Sequence, residues 1–283
     1  KILIIGGGGR EHALAWKLAQ NPRVSQLYAF PMNGGLAQLA DPIPVDRRAT
    51  IKELAAYASG EGIGLTVVGP EALLCSGIVD VFNSRGLKVF GPPQSGAKIE
   101  GSKVWAKDFM DKYNIPTARS ETFQDYEKAL NYVMGQELPI VIKADGLAAG
   151  KGVTVAQTPQ QAKDALHDCL VGNVFGAAGI KVIVEECLFG QEASILALTD
   201  GENILPMLPA QDHKPLLDGG QGPNTGGMGA ICPTPLVDDK VYSEAMTKVF
   251  EPVLRGFQAE GIKYSGVLYA GLMVTDQGVK VLE

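Results

Sequence analysis

The chain is poor in the residues that build metal cages and disulfide frameworks. Its 283 residues hold four cysteines and three histidines, and Cys75, Cys169, Cys187 and Cys232 fall at no metal or redox spacing. Four reduced thiols and a cytoplasmic location are therefore expected. Long apolar runs are missing as well. Nothing approaches the roughly 20 residues that cross a bilayer, and Ile2–Ile5 is too short for a signal-peptide core. Excess positive charge is also absent: a net charge of -6 argues against nucleic acid as a partner.

What is abundant is glycine, 35 residues placed in loops between apolar runs rather than in a repeat. The length allows about two domains, each able to bury a core. Residues 1–100 alternate short apolar strands (1–5, 25–29, 65–68, 88–90) with helical patterns (10–20, 51–59, 78–85). Such alternation predicts a doubly wound parallel sheet, in which ligands bind at the carboxyl ends of the strands. Gly6–Gly9, Pro31-Met-Asn33-Gly-Gly35 and Gly69-Pro70-Glu71 fall at those ends.

The most informative stretch is Pro139-Ile-Val-Ile-Lys143-Ala-Asp-Gly146-Leu-Ala-Ala-Gly150-Lys151-Gly152-Val-Thr-Val155. Two β-branched runs flank a glycine loop, with one lysine inside the first run and one at the loop tip. This predicts a hairpin able to close over a nucleotide triphosphate, because glycine amides approach phosphate oxygens closely and lysine supplies a point charge. A Walker loop is excluded: three residues rather than four separate Gly146 from Gly150, and a strand follows. The bland alternative is a tight hairpin whose glycines serve only its turns.

The first loop, Gly6-Gly-Gly8-Gly9-Arg10-Glu11, invites a dinucleotide reading and fails it. Glu11 stands where the third fingerprint glycine belongs, and the second strand ends Tyr28-Ala29-Phe30-Pro31 with no acid for a ribose hydroxyl. An anion site remains, made of loop amides, the helix N-terminus and Arg10. Glu11 suits that terminus as a structural residue, and His12 reads equally as packed or functional.

Beyond residue 100 the pattern gives a linker helix (within 101–121), a compact unit over 122–189 and a third part over 190–283. The compact unit reads as helix 126–134, the hairpin, helix 159–170 and strand 181–187. The third part reads as paired strands 192–199 and 203–207, a long polar loop 211–229, helix 239–260 and a hairpin over 264–283. The last strand stops at Glu283 without a turn or polar tail, as a chain cut within a domain would.

Several motifs agree, in order and along the whole chain. Lys1-Ile-Leu-Ile-Ile-Gly-Gly-Gly-Gly-Arg10-Glu-His-Ala-Leu-Ala-Trp16, Val67-Val-Gly-Pro-Glu-Ala72, Glu100-Gly-Ser-Lys103 and Ile142-Lys-Ala-Asp-Gly-Leu-Ala-Ala-Gly-Lys-Gly-Val153 come first. Val184-Glu-Glu186, Gly190-Gln-Glu-Ala-Ser194, Gln211-Asp-His-Lys214 and Gly222-Pro-Asn-Thr-Gly-Gly-Met-Gly-Ala230 follow. Together they resemble the glycinamide ribonucleotide synthetases, members of the ATP-grasp superfamily. The resemblance implies an α/β and α+β multidomain protein, its N-terminal parallel sheet followed by an ATP-grasp fold. It also implies ATP-dependent joining of glycine to 5-phosphoribosylamine through glycyl phosphate, a carbon–nitrogen ligation of purine biosynthesis.

By that resemblance Lys103 and Lys143 hold nucleotide phosphates, and 146–152, with Gly150, Lys151 and Gly152, form the lid. Backbone groups of Glu186 and Leu188, in the segment opened by Glu185, pair with the adenine edge, and Glu192 accepts from the ribose. Without the family, Glu185 and Glu192 read as solvated strand ends. Glu283 matches the family's metal carboxylate, which suits Mg²⁺ or Mn²⁺ carried by ATP. A second glutamate common in ATP-grasp enzymes has no counterpart, since Gly271 stands there. Gly8, Gly9, Arg10, Asn33 and Glu71 are assigned to phosphoribosylamine, and Asp212, Lys214 and Asn224 to glycine or the reaction centre.

Three departures stand out: Pro215 where the family has Arg, Leu73 where it has Pro, and Pro31-Met-Asn-Gly-Gly35 for Pro-Gly-Asn-Ala-Gly. The family also continues into Asn-Cys-Arg-Phe-Gly-Asp-Pro-Glu and a further domain. The expected partners are the two small-molecule substrates, with no membrane, in a monomer or a dimer. Another ATP-grasp carboxylate–amine ligase or carboxylase, a hydride-transferring enzyme and a non-catalytic ATP-binding fragment remain as alternatives.

Overall fold

The computed structural model describes residues 1–148 and 152–283, with residue 177 described by its backbone alone. Two compact units divide it: Lys1–Ala97 with Ile262–Gly266, and Lys98–Gly261 with Val267–Glu283. Among the described residues no helix is long and apolar enough to cross a membrane.

The first unit runs β1 (Ile2–Ile5), α1 (Gly9–Ala19), β2 (Leu27–Phe30), β3 (Asp41–Pro42), α2 (Ile51–Gly60), β4 (Leu65–Val68), α3 (Glu71–Cys75), α4 (Ile78–Ser84) and β5 (Val89–Phe90). The strands form the expected parallel sheet, in the order β3-β2-β1-β4-β5. Every residue of β1 is buried because helices cover both faces. Leu3 and Ile5 pack with Leu54, Ile78 and Phe82 on one face; Ile2 and Ile4 pack with Ala15 and Leu36 on the other. β3 escaped the sequence reading because it is a two-residue exposed edge, a place where a sheet tolerates proline.

After α5 (Gln94–Gly101), the second unit continues with α6 (Lys103–Lys112), β6 (Ser120–Phe123), α7 (Tyr126–Met134), β7 (Ile140–Ala144), β8 (Val153–Ala156), α8 (Pro159–Leu170) and β9 (Val182–Glu186). β6–β9 make an antiparallel sheet, order β6-β9-β7-β8. Ile140, Ile142 and Val184 bury against Ala129, Val133 and Leu166 of α7 and α8. The expected hairpin is present, with Lys143 opposite Val153.

There follow β10 (Gln191–Thr199), β11 (Ile204–Pro206), β12 (Gln211–Asp212), β13 (Pro215–Leu217), β14 (Gln221–Asn224), β15 (Ala230–Ile231), α9 (Asp239–Ala245), α10 (Glu251–Ala259), β16 (Gly266–Thr275) and β17 (Gly278–Val281). A second four-stranded sheet has the order β11-β10-β16-β17. The stretch expected to be a long polar loop is two small antiparallel ribbons instead, β13–β14 inside β12–β15. The single helix expected over 239–260 widens into a π turn at Met246–Phe250, just ahead of Pro252. Proline offers no N–H to the carbonyl four residues earlier, and the wider turn absorbs that break.

α6 and α10 meet through aromatic rings. Phe109 lies 5.0 Å from Trp105, 4.7 Å from Tyr113 and 5.2 Å from Phe257, centroid to centroid. Gly256 permits this approach, since a methyl there would stand 2.5 Å from Phe109 Cζ. Gly256→Ala therefore sets a helix-propensity gain of about 1 kcal/mol against an overpacking penalty of about 1–3 kcal/mol. The penalty wins, and thermal unfolding of the variant is expected at lower temperature than the parent.

Candidate functional site

In the first unit, the loop after β1 is organised around Glu11. Its side chain is 3% exposed. One carboxylate oxygen accepts from the Gly8 N–H at 2.7 Å and the other from Arg10 Nε at 2.6 Å. A methyl at Gly69 would lie 1.9 Å from that second oxygen, and one at Gly6 would lie 2.6 Å from the carboxyl carbon. The glycines thus wall a slot for an internal anion. The expected external anion site is corrected in two of its donors, because Glu11 already takes the Gly8 amide and Arg10 Nε.

Arg10 keeps an exposed guanidinium, one nitrogen of which faces Glu71 at 3.8 Å. Gly9, at the first turn of α1, is open to solvent. Asn33 is tied down: its amide nitrogen donates to the Gly7 carbonyl at 2.8 Å and its oxygen accepts from the Leu36 N–H at 2.8 Å. His12 is packed against the Cα of Gly35, where any methyl would meet the imidazole.

The second unit holds a buried ion cluster. Glu185, 3% exposed, lies 2.9 Å from Lys143 Nζ and 3.3 Å from Lys107 Nζ, and both lysine side chains are at most 10% exposed. Lys143 also donates to the Leu282 carbonyl at 3.1 Å. Lys107 donates to Thr117 Oγ1 at 2.7 Å and to the Ala118 carbonyl at 3.0 Å. Thr117 in turn donates to the Val281 carbonyl at 2.7 Å, so the cluster grips the strand leading to Glu283. The reading of Glu185 as a solvated strand end is therefore wrong. One residue on, Glu186 accepts from the Arg119 N–H and Nε, each at 3.0 Å, while its own N–H donates to the Arg119 carbonyl. Burial works against the Glu186 carboxylate, but the Arg119 bonds and the Lys280 charge outweigh it and hold the group below its ordinary range. Leu188 is half-buried just beyond β9.

The glycine hairpin is anchored by Asp145, which sequence reasoning missed. Its carboxylate accepts from Ser102 Oγ at 2.9 Å and from the Val104 N–H at 2.8 Å, closing the N-terminus of α6. Lys103 donates through its backbone to the Asp145 carbonyl and through Nζ to the Gly146 carbonyl at 3.1 Å. Gly146 does not free its amide for phosphate: the N–H donates to the Ala178 carbonyl, and a methyl there would stand 2.9 Å from Ala178 Cβ. Gly152 likewise permits close packing, against Ala148 and Ala144. Gly150 and Lys151 lie outside the described residues.

Four predicted residues come together on one shallow, open hollow: Glu192, Asp212, Lys214 and Glu283, with Ser194 and Tyr269. Lys214 Nζ lies 2.7 Å from Glu192 and 3.8 Å from Asp212. Burial pulls its ammonium down, yet the Glu192 hydrogen bond and the two carboxylate charges leave it raised. Tyr269, 3.3 Å from Ser194 Oγ, has its phenol pushed up chiefly by burial. Leu282, whose carbonyl accepts from Lys143, lines the same hollow. Asn224 is not in the lining; it sits exposed on the β13–β14 ribbon, next to Thr225, which donates to the Lys214 carbonyl.

Lys107 was legible only as an oddity, a lysine on the apolar stripe of α6 four residues after Lys103. Asp145 was hidden by the glycines that follow it.

Comparisons with known proteins agree with this geometry. Residues 1–100 match the N domain of the phosphoribosylglycinamide synthetases, and residues 101–283 match their ATP-grasp (A) domain. Over its whole length the chain is 53% identical to the phosphoribosylamine–glycine ligase of Vibrio cholerae and 54% identical to that of Yersinia pestis. It spans 66% of the length of each. The crystal structure of a Thermotoga maritima phosphoribosylamine–glycine ligase matches all of the chain with a TM-score of 0.83 at 32% identity, over 67% of that protein.

Asp145→Ala removes two acceptor contacts at the start of α6 and is expected to lower unfolding free energy by about 1–2 kcal/mol. Asp145→Asn, which keeps an accepting oxygen, should lose less in the same urea titration.

Proposed function

Because the chain belongs to the phosphoribosylglycinamide synthetase family, we propose that it binds ATP and uses it to join glycine to 5-phosphoribosylamine. A carboxylate and an amine do not condense at neutral pH, since the leaving group would be hydroxide. Transfer of the γ-phosphoryl to a glycine carboxylate oxygen gives glycyl phosphate and ADP. The phosphoribosylamine nitrogen then attacks the carbonyl carbon, phosphate leaves with the bonding pair, and the amine loses a proton. The protein's part is to position the reactants, balance the transferring charge and keep water from the acyl phosphate.

One observation carries this reading: a charged lysine between two carboxylates, on a hollow that Glu283 and Leu282 also line. In the proposed roles Lys143 and Lys103 meet phosphate oxygens and Glu192 takes the ribose hydroxyls. The Glu186 carbonyl and Leu188 N–H read the adenine edge. Asp212 balances the glycine ammonium, and Lys214 faces the carboxylate where charge develops. Asn224 acts as a polar group carried by the β13–β14 ribbon. Gly9, Asn33 and Glu71 remain the proposed phosphoribosylamine contacts, with Arg10 contributing the exposed side of a guanidinium already paired with Glu11.

Among the described residues no group of three or more His, Cys, Asp and Glu forms a metal cage. Glu283 offers hard carboxylate oxygens, and Mg²⁺ typically takes one or two carboxylates with phosphate oxygens and waters. That donor set fits a metal that arrives with the nucleotide, Mg²⁺ or Mn²⁺, held by Glu283. When bound it supplies positive charge to the phosphate oxygens.

The test is ADP release from MgATP with glycine and freshly generated 5-phosphoribosylamine together, and with each omitted in turn. Release that needs both is expected; release indifferent to glycine overturns the reading. Lys214→Met should lower kcat by about 10²–10³-fold, the loss typical of one preorganised cationic donor. MgADP affinity should change far less.

A further inference from the structure

The Lys107–Glu185–Lys143 cluster is unbalanced, with two ammonium groups sharing one carboxylate in the interior. Buried charge is normally matched, because an unpaired ion out of water is costly. The donors are unbalanced as well. An ammonium has three N–H bonds. Lys107 donates to Thr117 Oγ1 and the Ala118 carbonyl and stands 3.3 Å from Glu185 without a hydrogen bond to it. Lys143 donates to the Leu282 carbonyl and pairs with Glu185 at 2.9 Å, contacts for two of its three N–H bonds.

Glu185 is divided between the lysines. The oxygen toward Lys107 has no well-aligned hydrogen bond despite the 3.3 Å separation, while the oxygen toward Lys143 lies at 2.9 Å. Burial pulls the Lys107 ammonium below its ordinary value, the Glu185 charge opposes that, and Lys143 adds to it.

We infer that Lys107 is a positioning residue for nucleotide binding: by sharing Glu185 it stops that carboxylate from neutralising Lys143, and leaves one positive charge for the phosphates. The inference rests on the nucleotide-binding reading above. Without Lys107, Glu185 and Lys143 close into a neutral pair, and the phosphates meet a dipole instead of a charge. At so shielded a site that difference is felt strongly.

The experiment is calorimetric binding of MgADP to the chain and three variants, each checked for cooperative thermal unfolding. Lys107→Met should bind about tenfold more weakly, within the ordinary range of coupling between two sites. Lys107→Arg, which keeps the charge, should recover most of the loss. The decisive arm is Lys107→Met with Glu185→Gln, which removes one charge of each sign and returns the cluster to the parent's net charge. Its affinity should return to within about threefold of the parent, well inside the coupling range.

A merely structural Lys107 predicts the opposite, a double variant at least as weak as Lys107→Met. That result, or Lys107→Met binding like the parent, overturns the inference. Should Lys107→Met fail to fold, the arginine and double variants decide by the same criteria. A parent chain that does not bind MgADP overturns the nucleotide-binding reading along with it.

Discussion

The second unit depends on one constraint: a carboxylate and two ammonium groups must be held together away from water. Glu185 is shared between Lys107 on α6 and Lys143 on β7, and the same lysines reach the backbone of residues 118 and 282. A single buried ion cluster therefore joins a helix, two strands of the hairpin sheet and the chain segment that ends in Glu283. Breaking a buried pair by deleting one partner typically costs about 3–5 kcal/mol, so these elements are fixed with respect to one another. In the proposed reaction that fixing is useful, because charge stabilisation in a transition state works best when the groups need not move.

The first unit solves a related problem in the opposite way. Its glycine loop supplies amides and a helix N-terminus, features that attract anions. The chain fills part of that place itself with Glu11, seated between Gly6, Gly8 and Gly69 and bonded to Arg10. The internal carboxylate fixes the loop and leaves the outer face of Arg10 for an external charge. Glycine here makes room for a buried side chain, and Gly146 and Gly152 in the hairpin likewise permit close packing, against alanines.

The fold was legible where burial leaves a pattern. β1, β4, α1 and α2 follow from apolar runs and helical spacing, and the parallel sheet follows from their alternation. Edge elements left no such pattern. β6 reads Ser-Glu-Thr-Phe with no buried position, and the β13–β14 ribbon is made of exposed or half-exposed Pro, Leu, Gln, Gly and Asn. Of the site, the residue types at Lys143, Glu192, Asp212, Lys214 and Glu283 were legible through motif likeness, and the last four line one hollow. Their partners were not, because Lys107 and Asp145 act through contacts 78 and 43 residues distant in sequence (Lys107 to Glu185, Asp145 to Ser102), and no local pattern encodes those.

The measurement that tests the account most directly follows one oxygen atom. Glycine labelled with heavy oxygen in its carboxylate would be turned over with MgATP and 5-phosphoribosylamine, and the released inorganic phosphate analysed by mass spectrometry. Activation through glycyl phosphate moves one carboxylate oxygen onto phosphorus, so each phosphate should carry one labelled atom. Phosphate released without label would contradict glycine activation and leave the charged hollow without the chemistry assigned to it.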